Sequence, residues 1–385
     1  MVSEDHYPHA SDLTPYQKTK IVELREKCKE ILERYPEYDT DFSMLRWLMG
    51  WDYKIDDIVP KIDYAIETLV NLKLNKIEPQ TIEEINSHIR AISTASSYFP
   101  GGLMCQDKEG NIVYMQALAK VHPKTLVKAG CVSELFRLSI SETEMAFKLV
   151  RKAEKETNRK LGVKIVIDLD GFSMDLLYTP TLKVYLNLLT LLQAAFPDFA
   201  RRIYLINCPA MMSTVYAMIS PVLAKQTREK VRFLDKHWRQ TLIDDLGENN
   251  IYKHWGGKKE HDCPTGDLRV GGKVPEKLWY NPEDHPLDGK EKTKINVPAR
   301  NHTKVKLSAK KGQQFKWLWR VSSGDIDFCI MYQEKVVYPK LRIMTDFHPE
   351  IGSFECEEDG EYHFVFDNSH GMMFSKDVKY NIQIE

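Results

Sequence analysis

FPDFARRIYLINCPAMMSTVYAMISPVLAKQTREKVRFL, residues 196–234, decides how this chain is read. A short apolar run at 203–207 meets a Cys208-Pro209 break. An almost wholly apolar segment follows at 211–223, and then a charged run closes on a second apolar run at 231–234. Period and length predict strand, turn, helix and strand. A helix apolar on more than one side belongs in a core or against lipid.

On the N-terminal side the pattern is helical. Ile21, Leu24, Cys28, Ile31 and Leu32 share one face of a helix ending near Pro36, and Asp41 is the expected cap of a second. A third opens at Asp56-Asp57, with Pro60 expected in its first turn. Strand runs at 112–115 and 163–169 alternate with helical patterns at 135–153 and 182–196. That alternation predicts an α/β layer with mostly parallel strands.

Glycine and proline then crowd residues 254–290, as in a linker, although Leu278, Trp279 and Tyr280 call for partial packing on the α/β domain. Beyond 292 the period becomes two. Phe315, Trp317, Trp319 and Val321 share one strand face, and Tyr362, Phe364 and Phe366 another. The predicted organisation is a helical region at 12–80, an α/β domain at 85–257, a linker at 258–290 and an antiparallel β-sandwich at 291–385.

A formal net charge of −1 over 385 residues excludes a strongly basic nucleic-acid binder. Seven cysteines without a C-x-x-C pair read as reduced thiols in the cytoplasm. The first ten residues show no basic start followed by an apolar core, so no secretory leader is expected. The most apolar window, 182–196, is interrupted by Lys183, Asn187, Thr190 and Gln193. Membrane contact is therefore expected to be peripheral.

Signatures of catalysis are missing. There is no GxSxG, HExxH, Walker loop or strand-following GxGxxG, and the histidines lack metal-ligand spacing. Asp168 and Asp170 stand at a strand end, where α/β enzymes place carboxylates, but a turn cap explains them as well. The expectation is a protein that is no enzyme, with no catalytic residue, no metal and no cofactor.

The apolar segment at 211–223 then needs another explanation. A lipid of on the order of 30 methylenes costs roughly 20 kcal/mol or more to expose to water. A carrier therefore needs an apolar chamber with a movable apolar door. Met211, Met212, Val215, Tyr216, Met218, Ile219, Val222 and Leu223 supply candidates for that gate, bracketed by Pro209 and Pro221 as hinges. An ordinary buried helix accounts for the same apolarity, and both readings stand at this point.

The segment FPDFARRIYLINCP, the apolar stretch after it and QTREKVRFL also resemble the CRAL-TRIO lipid-binding domain of phosphatidylinositol/phosphatidylcholine-transfer proteins. LRWLMGWDYKIDD at 45–57 is similar to the helical region before that domain, and KHWGG at 253–257 to its close. FKWLWRVSSGDIDFCI and GEYHFVFDNSHGMMFSKDVKYNI resemble a GOLD domain, a β-sandwich linked to Golgi and vesicle traffic. The order of the three resembles the supernatant protein factor (tocopherol-associated protein) family.

The resemblance implies a bound lipid as ligand and transient contact with a membrane surface. It also implies a Golgi or vesicle protein as partner of the sandwich, and a cytoplasmic location at the periphery of Golgi or other internal membranes. A lipid-responsive trafficking adaptor is the alternative function. By the same resemblance, Thr227 and Lys230 match an inositol-phosphate pair, and Asp198 stands where members have Glu. Tyr114 and Ser173 match polar positions of a choline-lipid site, while Leu103 replaces a tyrosine. The basic run of inositide-binding members is absent, since residues 48–52 read LMGWD.

Overall fold

Thr14 opens the first helix through a capping box: its Oγ1 accepts from the Gln17 backbone N–H at 3.2 Å, and the Gln17 side chain accepts from the Thr14 N–H at 2.9 Å. The structure, a computed structural model, describes residues 6–385; the first five residues of the stretch read for a leader lie outside the described residues. Helices α1 (Pro15–Lys27) and α2 (Lys29–Arg34) divide at Cys28, so the single helix expected up to Pro36 is two. The cap of α3 (Asp41–Gly50) is Thr40 rather than Asp41, with Thr40 Oγ1 accepting from Ser43 N at 3.0 Å. Helix α4 (Ile55–Asn71) starts early enough to place Pro60 in its second turn. A short α5 (Ile82–Arg90), capped by Thr81, completes the helical region.

The central domain runs β1 (Leu103–Gln106), β2 (Ile112–Gln116), α6 (Pro123–Ala129), α7 (Val132–Thr157), β3 (Val163–Asp168), α8 (Thr179–Ala195) and β4 (Ala200–Ile206). It continues with α9 (Met212–Ile219), α10 (Lys225–Glu229), β5 (Val231–Phe233) and α11 (Trp238–Leu246). The sheet order is β1-β2-β3-β4-β5, antiparallel at the first pair and parallel thereafter.

Strand alternation gives this sheet two unlike faces. Val113, Met115, Val166, Tyr204 and Ile206 point to one side, where Trp238, Leu242 and Leu246 of α11 pack them solid. The other side carries a row in register, Tyr114, Ile165, Ile203 and Val231, beneath α8 and α9. The apolar helix expected over 211–223 is eight residues long. It ends in a 3-10 turn at Ser220–Val222, because Pro221 has no N–H with which to continue an α-helix.

The C-terminal region is two antiparallel sheets built from β6 (Thr293–Val297), β7 (His302–Ala309), β8 (Gln314–Val321), β9 (Asp325–Tyr332), β10 (Lys335–Met344), β11 (Glu350–Glu355), β12 (Gly360–Asp367) and β13 (Lys376–Ile384). Their orders are β10-β9-β12-β7 and β11-β8-β13-β6. Trp317 and Trp319 of one sheet meet Phe328, Phe364 and Phe366 of the other at ring-centroid distances of 5.2–5.9 Å. This sandwich rests on the helices: Tyr64 Oη donates to Lys340 O at 3.1 Å and Ser133 Oγ to Glu350 Oε1 at 2.7 Å.

Candidate functional site

A cavity of about 270 Å³ lies between the second face of the central sheet and helices α6 to α9. Packed interiors hold few voids larger than a water molecule, whereas ligand sites begin near 300 Å³. The stripe that α8 presents is periodic, Thr181, Tyr185, Leu188 and Leu192, so one face of an apolar helix forms the roof. Left empty, such a cavity would cost roughly 6 kcal/mol, a sizeable part of ordinary folding stability, and an apolar occupant would recover it.

Helix α9 closes part of this roof. Met212, Val215, Tyr216 and Ile219 line the cavity, as does Leu223 just beyond, while Met211 and Met218 face solvent. Val222 lies off the cavity, and its carbonyl is taken by α8. Gln193 Nε2 donates to Val222 O at 2.9 Å, and Gln193 Oε1 accepts from Ala224 N at 2.7 Å. One amide thus ties the end of the α9 segment to the roof helix. Gln226 Nε2 adds a tie to Met49 O at 3.1 Å.

Glu142 is the one carboxylate among the described residues lining the cavity, and none of those residues is Lys, Arg or His. Buried Arg269 holds it in a two-pronged pair and also donates from Nε to Phe99 O at 3.1 Å. Burial raises the Tyr114 phenol well above its ordinary range, and nearby Glu142 adds to the rise, so Tyr114 presents a neutral hydroxyl. Gly101 leaves the space for that hydroxyl, since a Cβ there would lie 2.0 Å from Tyr114 Oη. The sequence reading missed both Glu142 and Arg269. Glu142 carried a signal, because it falls four residues after Leu138 and four before Ala146 on the apolar face of α7. Arg269 carried none, being buried within a glycine-rich linker.

The residues named as headgroup contacts separate in space. Thr227 and Tyr114 line the cavity; Asp198, Lys230 and Ser173 do not. Asp198, at φ +51° after Pro197, turns its carboxylate into a buried cluster where it pairs with Lys160 Nζ at 2.7 Å and with Lys230. Burial pushes this carboxyl up, but Lys160, His6 and Lys230 overcome that and hold it well below the usual carboxylate range. Burial brings Lys160 down to about 8. The Tyr7 ring covers the cluster, 4.5 Å from Lys160 Nζ and 4.6 Å from the Arg201 guanidinium. The lysine expected at a phosphate is thus committed to an internal carboxylate.

Asp168 and Asp170 are also engaged. Asp168 accepts from Trp255 Nε1 at 2.9 Å and Asn207 Nδ2 at 2.8 Å, and exposed Asp170 pairs with Lys120 at 2.9 Å. Neither lines the cavity. Among the described residues no cluster of His, Cys, Asp and Glu could hold a metal ion, and no helix is long and apolar enough to cross a membrane.

Residues 96–257 match the CRAL/TRIO domain, a match that implies lipid binding or transfer in general. Protein ctg-1 of Caenorhabditis elegans is 23% identical over 94% of this chain and 96% of its own length. Protein real-time of Drosophila melanogaster is 27% identical over 71% of this chain, and that of Anopheles gambiae 26% over 66%. The match covers only 40% and 37% of those longer proteins. Among solved structures, that of Sfh5 aligns with a TM-score of 0.49 at 15% identity, covering 69% of this chain and 94% of its own.

Proposed function

We propose that the chain takes one hydrophobic lipid into the cavity beneath α8 and α9 and carries it between membranes, with residues 211–223 as the gate and no covalent chemistry. The observation that carries this reading is a cavity of about 270 Å³ with an almost wholly apolar lining, in a domain whose other face is packed solid. An apolar chain gains roughly 0.8 kcal/mol for each methylene it brings in from water. Among the described residues no free cation lines the cavity for a phosphate: Lys230 is bound to Asp198 and Arg269 to Glu142. A lipid with an uncharged polar end, hydrogen-bonded near Tyr114 and Gln116, therefore suits the site better than an inositol phosphate.

The sandwich, GOLD-like in this reading, holds the carrier at internal membranes. Native mass spectrometry of the purified chain tests the assignment, with Ile165→Trp as the filled-cavity control. The wild-type chain should carry a lipid of defined mass and Ile165→Trp should not. A chain that stays lipid-free after incubation with vesicles, and moves no labelled lipid between them, would sink the proposal.

A further inference from the structure

Met372, Met373 and Phe374 stand in the loop joining β12 to β13 at 72%, 78% and 76% exposure, a contiguous run of large apolar side chains held in water. The loop is built rather than slack. Buried Asn368 donates through Nδ2 to Phe374 O at 3.0 Å and Pro298 O at 3.3 Å, and its backbone carbonyl accepts from Gly371 N at 2.9 Å. Gly371 is required in that turn, since a Cβ would lie 2.4 Å from Asn368 Oδ1. The fold thus orders a turn whose outermost side chains stand mostly in solvent.

The root of this loop is joined, through the sheet it belongs to, to the helix that roofs the cavity. Lys376, the first residue after it, bonds the Asp325 backbone carbonyl, and α8 packs on β10 of the same sheet as Asp325, with Asn187 near the Asp325 side chain. Asn187 precedes Gln193, the residue tying down the gate, by six positions, about 9 Å along the helix. The sandwich sheet and α8 together therefore connect the apolar loop to the gate, whose outer side shows Met211 and Met218 to solvent, near exposed Phe233 of β5.

We infer that residues 372–374 form an anchor that inserts into the outer layer of a lipid bilayer. An exposed tip of two flexible methionines and a phenylalanine, flanked by the exposed polar residues Ser369, His370 and Ser375, suits a bilayer, because acyl chains accommodate such a tip without shape matching while the polar flank stays at the headgroups. Three inserted side chains give reversible binding, which a carrier that must leave its membrane needs. Insertion stands on the loop itself; its use in setting the gate against the same bilayer rests on the carrier reading.

The test is sedimentation of the full chain with extruded phosphatidylcholine vesicles, comparing wild type with M372S/M373S/F374S. The anchor predicts at least a tenfold drop in the vesicle-bound to free ratio, with thermal unfolding and lipid content unchanged because the replaced side chains lie in solvent. Equal binding by the two chains overturns it, as does a wild-type chain that ignores vesicles. A wild-type dimer in light scattering that the triple variant loses, with vesicles bound by neither, also overturns it and gives the loop to a second copy of the chain. Vesicle binding through the loop without any lipid transfer keeps the anchor and sinks the carrier reading instead.

Discussion

Glu142 and Arg269, 127 positions apart, face each other through two parallel hydrogen bonds of 2.9 and 2.8 Å in the cavity wall. Both are buried, so each charge depends on the other for its solvation. Arg269→Met alone should cost about 3–5 kcal/mol in urea unfolding, because it strands a carboxylate facing an apolar cavity. Glu142→Leu combined with Arg269→Met should recover most of that loss. A single variant as stable as wild type would show that water solvates the pair, contrary to the enclosure described.

Gln193 bears on the gate. Gln193→Ala removes two hydrogen bonds of about 1 kcal/mol each, so the end of the α9 segment should release about tenfold or more often. Spontaneous exchange of bound lipid, followed with labelled vesicles, should accelerate by that order while total capacity stays the same. An unchanged exchange rate would place the rate-limiting motion elsewhere.

Lys230 separates inositol-phosphate recognition from structure. Lys230→Ala should leave uptake of uncharged lipids within twofold of wild type and confer no loss of selectivity, because its amine is spent on Asp198. Lys160→Met, which removes the fully buried partner of the same carboxylate, should be the more damaging to stability, by about 3–5 kcal/mol. A large, selective loss of inositol-lipid transfer in Lys230→Ala would restore the headgroup role that the resemblance implied.

Glu350 makes stability depend on pH. Burial raises its carboxyl to about 8, with Glu134 adding to the rise while Ser133 and Arg137 oppose it. The folded state therefore keeps a proton that the unfolded chain loses near pH 4.5. The stability this contributes is complete below pH 4.5 and declines as pH rises toward 8. Glu350→Gln, which mimics the protonated form, should match wild type near pH 4.5 and melt several degrees higher at pH 8. Equal melting temperatures at both pH values would rule out the buried acid as the cause.

The sandwich was legible because a period of two leaves little freedom: once Trp317 and Trp319 share a face, a second aromatic sheet must cover them. The layered central domain was legible for the same kind of reason, from alternating strand and helix periods. The α9 segment was read too long, since apolarity continues through Pro221 although the α-helix cannot. The cavity was illegible, because a void is a property of packing between Tyr114, Ile165 and Leu188 rather than of any one of them. Asp198 and Lys230 illustrate the other limit. The resemblance implies a headgroup site for them, but a left-handed turn at Asp198 and a partner 38 positions away in Lys160 direct them inward.

Helix α8 serves two neighbours at once, roofing the hollow with one side and packing on β10 of the sandwich with another. Bulk admitted under that shared beam has little room to push toward α11, where the sheet is backed by tryptophan and leucine. Under the proposed carrier function, strain in the roof would therefore reach the far domain, and the sandwich would register how full the cavity is.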